Sequence, residues 1–101
     1  MNSDVQFEWD KEKEKANRLK HNVSFEAAKW VFRDDFRIEY FDEAHSKDED
    51  RFITIGLAGQ TLLVLFVVYT ERDDTIRIIS ARKADATERR RYYDRKVNFE
   101  F

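Results

Sequence analysis

Arg77, Arg82 and Lys83 lie within the run Thr75-Ile76-Arg77-Ile78-Ile79-Ser80-Ala81-Arg82-Lys83, where cations alternate with an apolar core segment. Cations carried out of a buried strand have the makings of an anion site. Arginine suits a phosphate in particular, because its planar fork pairs two phosphate oxygens at once. The β-branched residues at 75, 76, 78 and 79 favour a pleated backbone, and the run stops where Ala84-Asp85-Ala86-Thr87-Glu88 offers a helix start. Strict alternation sets Ile76, Ile78, Ser80 and Arg82 against Arg77, Ile79, Ala81 and Lys83. Arg77 and Arg82 then share a site only where a bulge intervenes or the site wraps the strand end.

Other chemistries find little support in the residues. There is no cysteine, hence no thiol nucleophile, disulfide or thiolate zinc site, and metal catalysis loses its usual ligands. No phosphate-cradling glycine loop, serine nucleophile elbow or pair of histidines at metal spacing is present. What remains is a set of Arg, Lys, His, Glu and Tyr side chains, which suits metal-free RNA cleavage. That reaction needs a base for the 2′-hydroxyl, cations for the pentacoordinate phosphate and an acid for the leaving oxygen.

The elements that must position these groups follow from the pattern. Val5-Gln6-Phe7-Glu8-Trp9 alternates as a short strand, and Asp10 caps a helix over Lys11 to His21, with Ala16 and Leu19 inward. Asn22 is suited to end that helix in the left-handed conformation. Ser24 caps a second helix from Phe25 to Phe32, whose Ala28, Val31 and Phe32 form one stripe. Strands are expected at 36–41, at 51–57, at 61–70 and in the arginine-bearing run, with Ala58-Gly59-Gln60 as a hairpin turn and Asp42 to Asp50 as a polar loop. A helix from about Asp85 closes the chain, with Asp85 and Glu88 at capping-box spacing. The fold class is α+β: a small antiparallel sheet of three to four main strands, two N-terminal helices and one C-terminal helix.

At 101 residues the chain is read as a single domain over 1–101, with one core and no linker, repeat or proline. Aromatic residues at 15% exclude a disordered chain, and charged residues at 40% exclude a membrane one. The longest apolar run, Leu62 to Tyr69, is strand-sized, and Met1-Asn2-Ser3-Asp4 has no signal-peptide core, so a soluble cytoplasmic protein is expected. Charge is unevenly placed. Residues 34–50 hold eight acids against two bases, and residues 72–96 nine bases against five acids, so one half suits a basic partner and the other a phosphate.

An ordered series of residues resembles the BrnT family of ribonuclease toxins. It runs Phe7-Glu8-Trp9-Asp10, Lys13, Asn17, Lys20-His21, Val23-Ser24-Phe25-Glu26, Glu49-Asp50-Arg51-Phe52 and Ile55-Gly56. It continues with Val68-Tyr69-Thr70-Glu71-Arg72, Ile76 to Ala84, Glu88-Arg89 and Tyr92, and covers roughly residues 6–93. Departures are Ala27, where the family often has a further acid, and the strongly acidic loop 42–50. The resemblance implies a RelE-like fold and a type II toxin that cleaves RNA without a metal or other cofactor and inhibits translation. It also implies neutralisation by a BrnA-like ribbon-helix-helix antitoxin, and contact with operator DNA only through that complex.

On this basis the candidate catalytic residues are Arg77, Arg82 and Lys83 for the phosphate, and His21 or Glu71 for proton transfer. Lys20, Arg51, Arg72 and Arg89 are the candidate RNA-binding residues. Each has a plainer reading. Arg77 suits a solvated strand face, Arg82 and Lys83 a strand-to-helix junction, Glu71-Arg72 a structural ion pair, and His21 a favourable charge at a helix C-terminus. Arg51 would neutralise loop carboxylates, Tyr69 would pack with its hydroxyl tied down, and Arg89-Arg90-Arg91 wraps its helix so that at most two can face one ligand. His45 lies outside the matching series and receives no role. The alternative function is a non-catalytic partner-binding subunit of a DNA-binding repressor complex, and a third is a nucleic-acid-binding domain without cleavage.

Overall fold

The computed structural model describes residues 5–100, with side chains through 98; the polar start Met1 to Asp4 lies outside the described residues. The chain runs β1 (Gln6–Glu8), α1 (Lys11–His21), α2 (Phe25–Lys29), a 3-10 turn (Trp30–Arg33), β2 (Ile38–Phe41), a 3-10 turn (Glu43–His45), β3 (Phe52–Leu57), β4 (Val64–Arg72), β5 (Thr75–Lys83) and α3 (Ala86–Glu100). Among the described residues no helix is long and apolar enough to cross a membrane.

The helix boundaries follow from side-chain chemistry at their ends. The Asp10 carboxylate accepts from the N–H groups of Glu12 and Lys13 at 2.8 and 3.0 Å, which starts α1. Those bonds, that from Lys13 foremost, hold the Asp10 carboxyl below its ordinary range. Asn22 ends α1 at φ 57°, sending its N–H back to Arg18 O. The Ser24 hydroxyl accepts from Ala27 N to open α2. Asp85 and Glu88 form the expected capping box for α3: each carboxylate accepts the other's backbone N–H at 2.8 Å.

The sheet differs from expectation. It has five strands rather than three to four, in the order β1-β5-β4-β3-β2, and it is mixed. β2 through β5 are antiparallel neighbours, whereas β1 pairs with β5 in parallel, Phe7 opposite Ile76 and Glu8 opposite Arg77. Only three residues long, β1 leaves the upper part of the β5 edge without a strand. Helix α1 closes that gap. The buried Asn17 amide donates to Ala81 O and to Val23 O, and its oxygen accepts from Ala81 N. An unpaired strand edge needs hydrogen-bonding partners. The helix therefore turns a polar residue inward, and Ala16 and Leu19, expected inside, lie outside, Leu19 being 83% exposed.

One sheet face packs on α2 and the turn that follows. Phe25, Ala28 and Val31 meet Leu65, Val67, Tyr69, Ile76, Ile78 and Ala81. The other face buries Ile53, Ile55 and Val64 beneath Tyr92 of α3. Position 56 is glycine because the chain crosses there: a Cβ would fall 3.0 Å from each of Arg37 Cβ, Asp34 Oδ2 and Val31 Cγ1. Gly56→Ala is expected to destabilise the fold by about 1–3 kcal/mol, the usual cost of overpacking. A urea midpoint unchanged from the parent would contradict this.

Candidate functional site

The register of β4 with β5 decides which side chains can act together. Val68 lies opposite Ser80 and Tyr69 opposite Ile78, so Ile79 has no counterpart and bulges. The bulge reverses the alternation. Ile76, Ile78 and Ala81 all reach the α2-side core, and Arg77, Ser80 and Arg82 all point to the other face. On β4 the matching positions are Thr70 opposite Arg77, Val68 opposite Ser80 and Phe66 opposite Arg82. Thr70 lies four positions after Phe66, about 13 Å of backbone, so the two arginines bracket Ser80.

The row extends across the sheet. Ile53 of β3 and Tyr40 of β2 continue the line of Ser80 and Val68, and Ile55 and Ile38 that of Arg82 and Phe66. Beyond Phe41 and Phe52, Asp42 N donates to Arg51 O at 2.8 Å, carrying the same register one residue further. Alternation then sets Asp42 and Arg51 in the row of Thr70 and Arg77. Helix α3 covers the Arg82 end of this face and leaves the Arg77 end open.

Each arginine here has a carboxylate neighbour. Arg82 makes a bidentate pair with Glu88 at 2.8 and 2.9 Å, while its guanidinium carbon stands 3.9 Å from the Phe66 ring centroid. Arg77 Nη1 is 3.2 Å from Glu8 Oε2. Arg51 Nη2 lies 4.0 Å from Glu49, and its buried Nε has no hydrogen-bond partner. The hydrogen bonds from Arg82 hold Glu88 below the ordinary glutamate value of 4.5, and the same bonds raise Arg82. A lowered carboxylate contributes stability above its unfolded value and loses it as pH falls through the folded one. Unfolding of the parent below about pH 4.5 should therefore show an acid slope that Glu88→Gln reduces, as read from urea midpoints across that range. On β2, burial pushes the Tyr40 phenol up; Arg91, hydrogen-bonded to it, opposes this, and Glu88 and Asp42 act in the same direction as burial.

The remaining candidates are dispersed. Arg72, exposed, sits opposite Thr75 on the arginine face, and Arg72, Arg77, Glu71 and Glu8 line a polar cleft of about 390 Å³. Glu71 pairs with Ile76, at the strand end, and also borders a cleft of about 590 Å³ on the opposite face with Tyr69 and Glu39. There Tyr69 donates to Glu39 at 3.1 Å; burial first, then the Glu39 carboxylate, pushes its phenol well above the ordinary range. Arg37 Nε stands 3.3 Å from the same Glu39 as an ion pair without hydrogen-bond geometry. Lys83 is exposed opposite Leu65, on the α2 side: alternation alone sets it against Arg82, and the bulge that unites the arginines separates it from Arg77 as well. His21 and exposed Lys20 end α1, His21 one helical turn beyond Asn17. Arg89 donates to Ala84 O at 2.8 Å and ties down the start of α3.

A residue left without a role in the sequence stands out in the structure. His45 Nδ1 lies 3.0 and 3.2 Å from the two carboxylate oxygens of Asp42, which is 9% exposed. Ser46 locks the loop, its hydroxyl donating to Asp42 O and accepting from Arg51 N. The Asp42-Glu43-Ala44-His45 spacing, one 3-10 turn, is the signal that could have revealed the pair.

A fold with this geometry is found among known structures. The crystal structure of the Brucella abortus ribonuclease toxin BrnT superposes with a TM-score of 0.62 at 20% identity, covering 80% of this chain and 97% of that one. Comparison of the sequence with curated proteins finds no match. The family model of the ribonuclease toxin BrnT, of type II toxin-antitoxin systems, matches residues 9–88, which span every element from α1 to β5 and the Glu88 that holds Arg82. The chain therefore belongs to the BrnT family of ribonuclease toxins of type II toxin-antitoxin systems.

Proposed function

We propose that this toxin is a metal-independent endoribonuclease whose active site is the arginine face of the sheet, and that cutting RNA in the cytoplasm is how it inhibits translation. The observation that carries this reading is the bulge at Ile79, which turns Arg77 and Arg82 to one side around Ser80. Guanidinium groups turned to one face can engage phosphates along an RNA strand, and the one at the scissile linkage can stabilise the extra charge of its pentacoordinate state. Arg51 and Arg72 extend the phosphate track on the same face, and Glu71 stands at its margin. Lys20, His21, Lys83 and Arg89 would meet RNA that passes over the β5 edge and the start of α3.

The toxin's partner is an antitoxin, and we assign that antitoxin to the BrnA-like ribbon-helix-helix class, with operator DNA bound only through the complex. The test is incubation of the purified chain with total RNA in chelator, beside an Arg77→Ala, Arg82→Ala double variant whose fold is confirmed by circular dichroism. Cleavage by the parent alone supports the site, and cleavage by both moves it elsewhere. The pairing of both arginines with carboxylates favours a second reading, a non-catalytic subunit that binds its partner without cutting RNA. Absence of cleavage by the parent, with antitoxin binding intact, would establish that reading.

A further inference from the structure

We propose that His45 is a catalytic residue of this site, the base that takes the 2′-hydroxyl proton, and that Asp42 is the residue positioning it; the inference rests on the nuclease reading above. The geometry has three parts. Carboxylate oxygens only accept hydrogen bonds, so the Asp42 contact makes Nδ1 the donor, and in the neutral ring Nε2 then carries the lone pair. The His45 side chain is 70% exposed, whereas that of Asp42 is only 11% exposed, so the orienting group is fixed and the reactive one is reachable. Asp42 is also in register with Arg51, and through it with Thr70 and Arg77, so the pair stands beside Arg51 at the β2 end of the row that Arg77 closes on β5.

Asp42 faces Nδ1 of His45, Ser46 and Arg51 brace the loop behind it, and Tyr40, held by Arg91, is close enough to Asp42 to sense its charge. In the proposed step Nε2 of neutral His45 accepts the 2′-hydroxyl proton and the 2′-oxygen bonds to phosphorus. The bond from phosphorus to the 5′-oxygen breaks, and that oxygen takes a proton from water. A 2′,3′-cyclic phosphate and a 5′-hydroxyl end result, and His45 returns its proton to solvent. Asp42 stabilises the imidazolium formed on the way. This is the division of labour of a base and its orienting carboxylate, placed on a loop beside a rigid sheet.

The test compares the parent, His45→Gly, Asp42→Asn and Arg82→Ala on total RNA in chelator, with binding read separately on 2′-O-methylated RNA that cannot be cut this way. His45→Gly should cleave about 100-fold more slowly, as expected for loss of a general base, yet bind the methylated RNA as the parent does. Free imidazole should restore its cleavage, and should not restore that of Arg82→Ala. Asp42→Asn should slow cleavage with binding unchanged. If His45→Gly cleaves at the parental rate, or imidazole fails to rescue it while the parent cleaves and Arg82→Ala does not, the His45 assignment is overturned and the arginine site stands. If the parent does not cleave, the nuclease reading falls, and this proposal with it.

Discussion

Arg82→Ala is expected to lower RNA cleavage by about 10²- to 10³-fold, the range for removing one preorganised donor to a developing oxyanion. Arg82 is the most rigidly held cation on its face. Two hydrogen bonds to Glu88 fix the plane of its guanidinium, and the Phe66 ring supports one side of it. Arg82→Lys should recover little of the loss, because an ammonium keeps the charge but cannot bridge both Glu88 oxygens or lie flat on the ring. The fold should survive either change, since Glu88 still accepts from Asp85 N and the α3 cap remains. Single-turnover cleavage beside a thermal melt checks both points. Cleavage by folded Arg82→Ala within about threefold of the parent would remove Arg82 from the mechanism.

The largest effect on stability is expected at Asp34, where Asp34→Ala should cost about 3–4 kcal/mol. Its carboxylate accepts from three places at once: the Tyr92 hydroxyl of α3, Leu57 N at the end of β3, and Phe36 N in its own turn. Tyr92 is fully buried, so alanine removes from the core the acceptor of both its hydroxyl and the Leu57 N–H. Tyr92→Phe removes only one of the three bonds and should cost about 1 kcal/mol. Urea denaturation of the two variants separates the readings: equal losses would mean that the Tyr92 bond alone matters. Because α3 carries Glu88 and Arg91, loosening Asp34 should also disturb the arginine face at a distance.

Much of the local structure was legible because local chemistry sets it. The β5 boundaries, the Asp10 and Ser24 caps and the Asp85-Glu88 box follow from residues within a few positions of one another. The partner of β1 did not, since nothing in Gln6-Phe7-Glu8 says which edge it joins or in which direction. Leu19 misled for a related reason: helical periodicity assumes an apolar partner, and α1 lies instead against a backbone edge that needs an amide. In the site, both arginines were visible, but their shared face depends on a bulge at Ile79, a residue as suited to regular strand as its neighbours. Lys83 adjoins Arg82 in sequence, yet alternation turns it to the other face and the bulge parts it from Arg77 too. His45 was passed over because its meaning comes from a carboxylate that only the fold buries.

The carboxylates beside Arg51, Arg77 and Arg82 also bear on how binding should respond to ionic strength. Three unpaired cations meeting a single strand would release condensed counterions and give a slope of about −2 in log affinity against log salt. On the proposed site RNA would displace an acid already in place, and each freed carboxylate would gather a cation from solution in turn. The exchange largely cancels, so the slope should be shallower than the arginine count suggests. On the proposed site such a surface would give up long-range attraction for RNA, and affinity would rest on short-range contacts between phosphates and guanidinium groups. An encounter at the wrong linkage would then have little to hold it.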